Sequence, residues 1–294
     1  MKRLVIIDAN ALIHRGFHAL PPLTTKKGEL VNAVYGFTAV LLKVLKELKP
    51  DYILTAFDLP KPTFRHLEYA EYKAHRPKTP DELVQQFPLV KKVVKALDIP
   101  IFEKEGFEAD DIIGTVTKKT NKDIENIVVT GDLDTLQLVN ENTKVYTLKR
   151  GITDTIIYDE KAVRERYELK PEQLLDFKGL KGDPSDNIPG VPGVGEKTAI
   201  NLLKKFGTIE NLYKKLEKDE TRDILESLKK KLLDNKDQAI FSKKLATIRY
   251  DVPLKFNLED CRVETYDHKK VVQLFQELDF KSLIGRLPNR QLTI

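Results

Sequence analysis

Short apolar runs alternate with longer amphipathic stretches over roughly the first 160 residues. Residues 4–7, 52–57 and 126–130 are apolar and rich in β-branched side chains, which is typical of strands buried on both faces of a parallel sheet. Residues 31–48 and 81–97 carry apolar side chains at helical spacing, and each stretch predicts one helix. Shorter strands are predicted at 99–102, 144–148 and 154–158. The alternation predicts an α/β fold with a mostly parallel central sheet flanked by helices.

The pattern becomes helical beyond about residue 160. Helices are predicted at 171–178, 196–206, 212–216, 224–233, 237–245 and 269–278. Residues 190–195, with the sequence Gly-Val-Pro-Gly-Val-Gly, predict a tight turn that we call the glycine hairpin. We expect an α/β core over residues 1–175 and a helical region over residues 176–294 packed on that core. Residues 286–294 have the character of a linker, so we expect either part of a longer protein or a free-standing one.

Acidic side chains stand where the predicted strands end. Asp8 and Asp58 end two strands, and Asp132 and Asp134 follow a third. The carboxyl ends of parallel strands meet at one edge of a sheet, where open α/β sheets place their chemistry, so we expect these groups to converge. Further acids stand at a predicted helix start and in a later loop: Glu108, Asp110, Asp111, Asp183 and Asp186.

Each of these acids also has a purely structural explanation. Asp8 or Asp132 could cap the helix that follows it, acids in a first helical turn favour the helix dipole, and Asp183 could organise a turn. Against this, several carboxylates within a few ångströms of each other do not all ionise at neutral pH without cations. Sets of oxygen ligands suit Mg²⁺ or Mn²⁺, and more acids than one ion needs predict two ions.

Basic and aromatic side chains are mixed between residues 60 and 80, where we predict a partly helical, exposed insertion. They are Lys61, Phe64, Arg65, Tyr69, Tyr72, Lys73, Arg76 and Lys78. Positive charge for phosphates and flat rings for bases are what single-stranded nucleic acid needs, and a solvated loop is the alternative. The glycine hairpin, with Lys197 beside it, offers free backbone N–H groups to a phosphate, and a simple turn between helices is its alternative.

Composition limits the remaining possibilities. The net charge is +5 with a pI of about 8.9, which fits a polyanionic partner. Cys261 is the only cysteine, which excludes an intrachain disulfide and a cysteine zinc site. The sequence has no bilayer-length apolar run, and only four apolar residues follow Lys2-Arg3, too few for a secretory signal, so we expect an intracellular protein without a membrane partner. It has no phosphate-binding Walker loop, so we do not expect triphosphate hydrolysis.

Taken together, the motifs resemble the 5′ nuclease family, whose members are also called flap endonucleases. The matching stretches are residues 5–10 (VIIDAN), 56–58, 63–66, 71–76 (EYKAHR), 108–114 (EADDIIG), 130–134 (TGDLD) and 182–199. Several long motifs in the same order make this likeness specific, although it weakens after about residue 210. Within the family it is strongest to the N-terminal 5′-3′ exonuclease domain of bacterial DNA polymerases, so a linked polymerase domain is expected.

The resemblance implies two Mg²⁺ ions, for which Mn²⁺ can substitute, held by the nine acids. The first ion would be held by Asp8, Asp58, Glu108 and Asp110. The second would be held by Asp110 or Asp111 together with Asp132, Asp134, Asp183 and Asp186. Asp110 and Asp132 are implied to be catalytic, together with Lys73 and Arg76, whose family counterparts lie in a helical arch, here at about 60–80, and contact the phosphate that is cut.

The resemblance also implies a DNA-binding set. It consists of Arg15, His14, Arg65, Tyr72, Lys73, Arg76, Gly190, Val191, Gly193, Val194, Gly195 and Lys197. Arg15 matches an arginine that contacts phosphate, and His14 stands where the family often has an aromatic that stacks on the terminal base. The glycine hairpin would form a helix–three-turn–helix motif that binds the duplex, with a K⁺ ion.

A PIN-like fold and a monomeric, cytoplasmic enzyme associated with the bacterial nucleoid are implied. The enzyme would act as a 5′-3′ exonuclease and flap endonuclease on 5′ flaps, nicked or gapped duplex DNA and RNA primers, in DNA replication and repair, by a two-metal-ion mechanism. One alternative is a PIN-type ribonuclease, against which the hairpin region and the insertion at 60–80 argue. The other is a protein that binds branched DNA without cutting, against which the complete acid set argues.

Overall fold

Six strands form a single sheet at the centre of the computed structural model, which describes residues 1–288. The strands are β1 (Lys2–Asp8), β2 (Tyr52–Ala56), β3 (Ile101–Phe102), β4 (Ile124–Thr130), β5 (Thr143–Arg150) and β6 (Asp154–Tyr158). Their order across the sheet is β3–β2–β1–β4–β5–β6. All neighbours are parallel except β5 and β6, which are antiparallel. The mostly parallel sheet predicted from the sequence is therefore confirmed.

Helices flank this sheet and make up most of the chain after β6. They are α1 (Ala9–Ala19), α2 (Asn32–Leu48), α3 (Phe64–Glu68), α4 (Asp81–Val84), α5 (Phe87–Ala96), α6 (Ala109–Lys119), α7 (Glu160–Tyr167), α8 (Leu174–Lys181), α9 (Glu196–Phe206), α10 (Ile209–Glu217), α11 (Glu226–Asp234), α12 (Lys236–Ala246), α13 (His268–Glu277) and α14 (Lys281–Ile284). Short 3₁₀ turns occupy Leu133–Leu138, Pro171–Gln173 and Glu259–Cys261. The predicted linker at 286–294 lies for the most part outside the described residues.

The central strand β1 is buried on both faces, as its continuous apolar run predicts. Val5 and Ile7 join a core that includes side chains of α1, α2, α5 and α13. Leu4 and Ile6 point the other way, into a second core that includes α6 and Ile248. None of these four strand side chains is accessible to solvent. The sheet therefore gives Asp8, at the end of β1, a fixed position.

A third core holds the helical region together. It contains side chains of α8, α9, α10, α11 and α12, and it also receives Val191 and Val194 from the glycine hairpin. The prediction that strands stop after about residue 160 is confirmed for the described residues, because the last strand is β6. Every helix within residues 1–288 falls short of the length and apolarity that a bilayer crossing demands.

The single helix predicted at 81–97 is wrong, because the structure divides it into α4 and α5. Pro88 has no amide hydrogen for the carbonyl of Val84, which interrupts the helical ladder. The buried Gln86 side chain lies at the break, and its Oε1 accepts hydrogen bonds from the amides of Ala33 (2.8 Å) and Val34 (3.3 Å) at the start of α2. The break therefore supplies a cap to a neighbouring helix.

Helix α7 is absent from the predictions because only Val163 of its eight residues is buried. One buried position does not create an apolar stripe. A capping bond from the Ala162 amide to the Asp159 carboxylate, at 2.8 Å, marks where the helix begins.

The segment at 60–80 is partly helical and mostly exposed, as predicted from its residues, but it contains less helix than the helical arch that the resemblance implies. Its only helix is α3, of five residues, and the chain then turns and packs on the loop at 183–187. The Lys73 amide donates to the carbonyl of Asp186 at 3.0 Å, and the Asn187 side chain donates to the carbonyl of Glu71 at 2.7 Å. Lys73 has a positive φ of 56° in this tight arrangement.

Candidate active site

A cleft of about 1000 Å³ opens at the carboxyl edge of the sheet. Its lining includes five of the predicted acids: Asp8, Asp58, Glu108, Asp110 and Asp132. Asp8 ends β1 and Asp58 follows β2. Glu108 and Asp110 stand at the start of α6, and Asp132 follows β4. A much smaller adjoining cavity is lined by the last three of these acids together with Asp134 and Asp186. The structure therefore brings most of the predicted acids together.

Asp8 caps a helix and also faces the cleft. One oxygen accepts the amide of Ala11 at 3.1 Å, and the other accepts the hydroxyl of Thr130 at 2.6 Å. Burial, together with the nearby carboxylates of Asp58 and Asp132, raises the pKa of Asp8 to about 7 in spite of the lowering effect of these hydrogen bonds. The structural and functional explanations of Asp8 are thus not exclusive.

Burial also raises the pKa values of the neighbouring acids. Burial raises the pKa of Asp58, although its Oδ1 accepts the Ala109 amide at 2.6 Å. Burial raises the pKa of Asp110 well above its usual range, and the carboxylates of Asp8 and Asp132 add to the shift. A cation between these groups would remove the repulsion, and all of the donors are oxygens, so the site fits a hard divalent ion. Even so, the described part of the chain contains no ready-made group of three metal-binding side chains.

Lysine and arginine side chains compensate the remaining acids. The Lys73 ammonium lies 3.0 Å from Oε1 of Glu108 and 3.8 Å from Oδ2 of Asp186, which also pairs with Arg76. The Lys178 ammonium contacts Asp134 and lies 2.7 Å from Oδ2 of Asp183.

The pKa values of the two acids at Lys178 move in opposite directions. Burial and the Asp132 charge raise the pKa of Asp134 to about 6. Although burial alone would raise it, the pKa of Asp183 is lowered to about 2 by Lys178 and by hydrogen bonds from Ser185. Four acids of the 1000 Å³ cleft, Asp8, Asp58, Asp110 and Asp132, form no ion pair within residues 1–288, whereas Glu108, which also lines it, pairs with Lys73.

Asp111 does not fit its predicted role as a metal ligand. It is fully buried and forms a bidentate ion pair with Arg65, with both N···O distances at 2.8 Å. Its two oxygens also accept the amides of Glu108 (3.1 Å) and Arg249 (2.9 Å). With both oxygens used in this way, Asp111 is a structural residue that joins α6 to the segment after α12.

Arg65 does not fit its predicted role in DNA binding for the same reason. Only 2% of the residue is exposed, and its guanidinium also donates to the carbonyls of Leu245 and Thr247. Tyr72 is 3% exposed, and its hydroxyl lies 3.2 Å from both Glu108 Oε2 and Asp186 Oδ2. The ring of Tyr72 is therefore not available to a base, and its hydroxyl positions two acids instead.

Arg15 and His14 both line the main cleft, on α1. Arg15 donates to the carbonyls of Leu148 and Gly151, which ties α1 to the end of β5 and the turn that follows it. Burial lowers the pKa of His14, with smaller contributions from His18 and Arg76, so the neutral ring is favoured. Both positions are compatible with the predicted DNA contacts, which stay predictions.

The glycine hairpin joins α8 to α9 and is held close to the preceding loop. Gly190 has φ of +61°, and a Cβ there would lie 2.2 Å from the Gly182 nitrogen, so only glycine fits. Val191 and Val194 are buried, the Val191 amide donates to the carbonyl of Leu180 in α8, and the Val194 amide donates to the carbonyl of Val191, so the prediction that they contact DNA is not supported. The exposed positions from 190 to 197 are Pro192, Gly193, Gly195, Glu196 and Lys197.

Four residues near these sites were missed by the sequence analysis. Asn10 and Thr130 hydrogen-bond to the Asp58 amide and the Asp8 carboxylate. Lys178 joins two acids, and the Lys231 ammonium reaches the exposed Gly193. Asn10 and Thr130 could have been noticed because they adjoin the acids in two motifs. The two lysines lie among many others on amphipathic helices, and the sequence does not single them out.

Sequence models of one family cover most of the chain. The model described as 5′-3′ exonuclease, N-terminal resolvase-like domain, matches residues 3–168. The chain belongs to the 5′-3′ exonuclease family. A second model, described as 5′-3′ exonuclease, C-terminal SAM fold, matches residues 169–269. The family models thus divide the chain near the start of its helical region, and the predicted division at residue 175 stays a prediction.

Relatives and solved structures agree with this family. The DNA polymerase I of Bacillus caldotenax is 48% identical over 287 residues, which cover 97% of this chain and 32% of that protein. The chain therefore spans about a third of the length of the curated relatives it matches. The bacteriophage T5 5′-exonuclease with bound zinc ions has a TM-score of 0.65 at 21% identity, covering 83% of this chain and 89% of that one. A variant of the T5 flap endonuclease, in a complex with DNA and metal ions, has a TM-score of 0.68 at 18% identity, covering 95% and 100%. At these identities the structural matches show the shared fold.

Proposed function

We propose that this chain is a structure-specific 5′ nuclease that cuts phosphodiester bonds in 5′ flaps, nicked or gapped duplex DNA and RNA primers on DNA. It would act both as a 5′-3′ exonuclease and as a flap endonuclease. The observation that carries the proposal is the main cleft, where five acids and the cations of Lys73 and Arg76 line one space at the carboxyl edge of the sheet.

Two Mg²⁺ ions, replaceable by Mn²⁺, are part of the proposal. The raised pKa values of Asp8, Asp58 and Asp110 support it, because burial and neighbouring carboxylates disfavour their charged forms and none of the three forms an ion pair within the described residues. The first ion would be held by Asp8, Asp58, Glu108 and Asp110. The second would be held by Asp110, Asp132, Asp134, Asp183 and Asp186. When bound, the ions would activate water and neutralise charge on the leaving oxygen.

The chain's own residues would orient the substrate. Lys73 and Arg76 line the cleft beside Glu108 and Asp186, and in the reaction they would bind the scissile phosphate and stabilise its developing charge. Arg15 would contact a phosphate and His14 would stack on the terminal base, since both line the same cleft. Tyr72 would keep the carboxylates of Glu108 and Asp186 in register through its hydroxyl.

The helical region would hold the duplex. In this proposal α8, the glycine hairpin and α9 form the helix–three-turn–helix motif, and Gly193, Gly195 and Lys197 face the phosphates from their exposed positions. Helix α9 begins at Gly195 without a side-chain cap, which leaves its first amides free for an anion. The family resemblance extends the proposal to a K⁺ ion at the hairpin. Contacts of this kind position a duplex without reading its sequence.

The wider setting follows from the relatives. They are bacterial DNA polymerases that extend well beyond the matched region, so we propose that this nuclease works next to a polymerase domain, in replication and repair. We further propose that it binds DNA as a monomer.

The test is cleavage of a labelled 5′-flap DNA with Mg²⁺, with EDTA, and with a single-stranded RNA of equal length in place of the flap. We expect Mg²⁺-dependent cuts near the flap junction and little cutting of RNA. Asp132→Asn should abolish cutting while sparing flap binding, because asparagine keeps the cap to the Asp134 amide. Asp159→Asn, at a distant helix cap, is the matched control.

Each alternative has its own outcome in this assay. Preferential cutting of the RNA would favour a PIN-type ribonuclease. Tight flap binding without cutting, in Mg²⁺ and in Mn²⁺, would favour a protein that binds branched DNA only. Normal cutting by Asp132→Asn would refute the proposed site.

A further inference from the structure

Lys178 lies between two acids assigned to the second ion, and its side chain has no part in the proposed function so far. It projects from the last turn of α8, contacts Asp134, and lies 2.7 Å from Oδ2 of Asp183. The three side chains are between 14% and 29% exposed, so solvent screens the ammonium only in part. Lys178 therefore joins α8, the 3₁₀ turn after β4 and the loop at 183–187.

The surroundings of Lys178 leave room for an ion. Lys178, Asp134 and Asp183 line a cavity of about 150 Å³, several times the space that one water needs. Asp134 also lines the small cavity that holds Asp110 and Asp132. The lysine is thus placed on the side of Asp134 away from the main cleft, next to a space where a divalent ion and its waters would fit.

We propose that Lys178 is a tethered counter-ion of the second metal site. It holds the Asp134 and Asp183 carboxylates together while the divalent ion is away, and it must withdraw as that ion binds. This inference rests on the proposed function, since it assumes that these two acids belong to a metal site. Its flexible four-carbon stem permits the withdrawal.

The charge of the ammonium decides the direction of the effect. A positive charge next to both carboxylates competes with a divalent ion for the same oxygens, and the competition is strong in a partly buried setting. Lys178 therefore weakens the binding of the second ion and sets the metal concentration at which the site fills. A residue that merely prearranged the two acids would have the opposite effect, because its removal would loosen them and weaken metal binding.

Calorimetric titration of the whole chain with Mn²⁺, without DNA, tests this directly. Lys178→Met should tighten the weaker of two Mn²⁺ binding events by about tenfold or more, because it removes the competing charge without removing a ligand. Lys178→Arg should keep the wild-type affinity within about threefold. Lys181→Met is the matched control on the same helix, since its ammonium pairs with Glu196 instead. Unchanged or weaker Mn²⁺ binding by Lys178→Met would overturn the inference.

A second measurement uses the unaltered chain and so does not depend on the variant folding. Acetylation of lysines, read by mass spectrometry, should label Lys178 several-fold faster in saturating Mg²⁺ than in EDTA. Lys243, whose partner Asp176 is not a proposed ligand, should label equally in both. Equal labelling of Lys178 in both conditions would overturn the inference, and flap cleavage by the same preparation would leave the proposed function standing. Absence of both Mn²⁺ binding and cleavage would instead overturn the proposed function.

Discussion

Replacing Asp8 by asparagine should stabilise the metal-free protein and remove most of its response to Mg²⁺. Burial and two neighbouring carboxylates raise the Asp8 pKa from 3.8 to about 7. A shift of roughly three units corresponds to about 4 kcal/mol, which is an upper bound because the interactions are shared among several acids. Asparagine caps a helix about as well as aspartate, so the bond from the Ala11 amide should survive.

The pH dependence of this effect has a definite sign. Because the folded-state pKa is raised, the folded state binds more protons than the unfolded state between about pH 4 and pH 7, and the stability of the wild type falls as the pH rises through that window. Above pH 7 the Asp8 carboxylate is ionised in both states, and the full cost of burying its charge lowers the stability of the folded state. We therefore expect Asp8→Asn to gain about 2 kcal/mol in EDTA at pH 8, which raises the melting temperature of a chain of this length by roughly 3 °C. The gain should vanish near pH 4.

Thermal unfolding in EDTA and in 10 mM Mg²⁺, at about pH 8, measures both parts of the prediction. Mg²⁺ should raise the melting temperature of the wild type and do much less for Asp8→Asn, because a ligand that binds only the folded state stabilises it. Asp159→Asn serves as the control because Asp159 caps α7 away from the other acids, and it should behave like the wild type. The reasoning fails if Asp8→Asn is no more stable than the wild type in EDTA, or if Mg²⁺ stabilises both proteins equally.

Three further predictions concern the same region. Lys73→Ala should slow single-turnover flap cleavage by about 100-fold, while the exposed Lys78→Ala leaves it within about twofold; equal rates would remove Lys73 from the chemistry. Mg²⁺ affinity, measured by calorimetry, should fall between pH 8 and pH 6, because Asp8 and Asp134 have pKa values of about 7 and 6 and must lose protons to bind an ion; a flat profile would contradict their assignment. Arg65→Met should cost about 3–5 kcal/mol in urea unfolding, because it leaves a buried carboxylate unpaired, whereas a surface arginine that bound DNA would cost almost nothing.

The sheet could be predicted from the sequence because its strands are buried on both faces. Residues 4–7 and 127–129 are apolar throughout, and a run of that kind has few alternatives in an α/β protein. The break between α4 and α5 could not be predicted in the same way. It depends on Gln86 meeting the amides at the start of α2, and no local pattern reports a contact between residues more than fifty positions apart.

The candidate site shows the same division. The acids at the ends of β1 and β2 were predictable, because parallel strands bring their carboxyl ends to one edge. The role of Asp111 was not, although it stands beside Asp110 in the same motif. The first turn of α6 points Asp110 into the cleft and Asp111 into the protein, where Asp111 pairs with Arg65, which in turn donates to the carbonyl of Thr247. Which of two adjacent acids pairs with a buried arginine is decided by tertiary packing.

The close approach of Gly190 to Gly182 has a consequence for where the DNA would be cut. Asp183 and Asp186 lie in the short loop between these two glycines, and the contact closes that loop at its base. The hairpin that would hold the duplex and the acids that would act on the phosphate thus belong to one rigid piece of chain. Because the distance between the hairpin and the acids would then be constant, it would fix how many nucleotides separate the start of the held duplex from the bond that is broken. Flaps of different lengths would then be cut at the same distance from their junction.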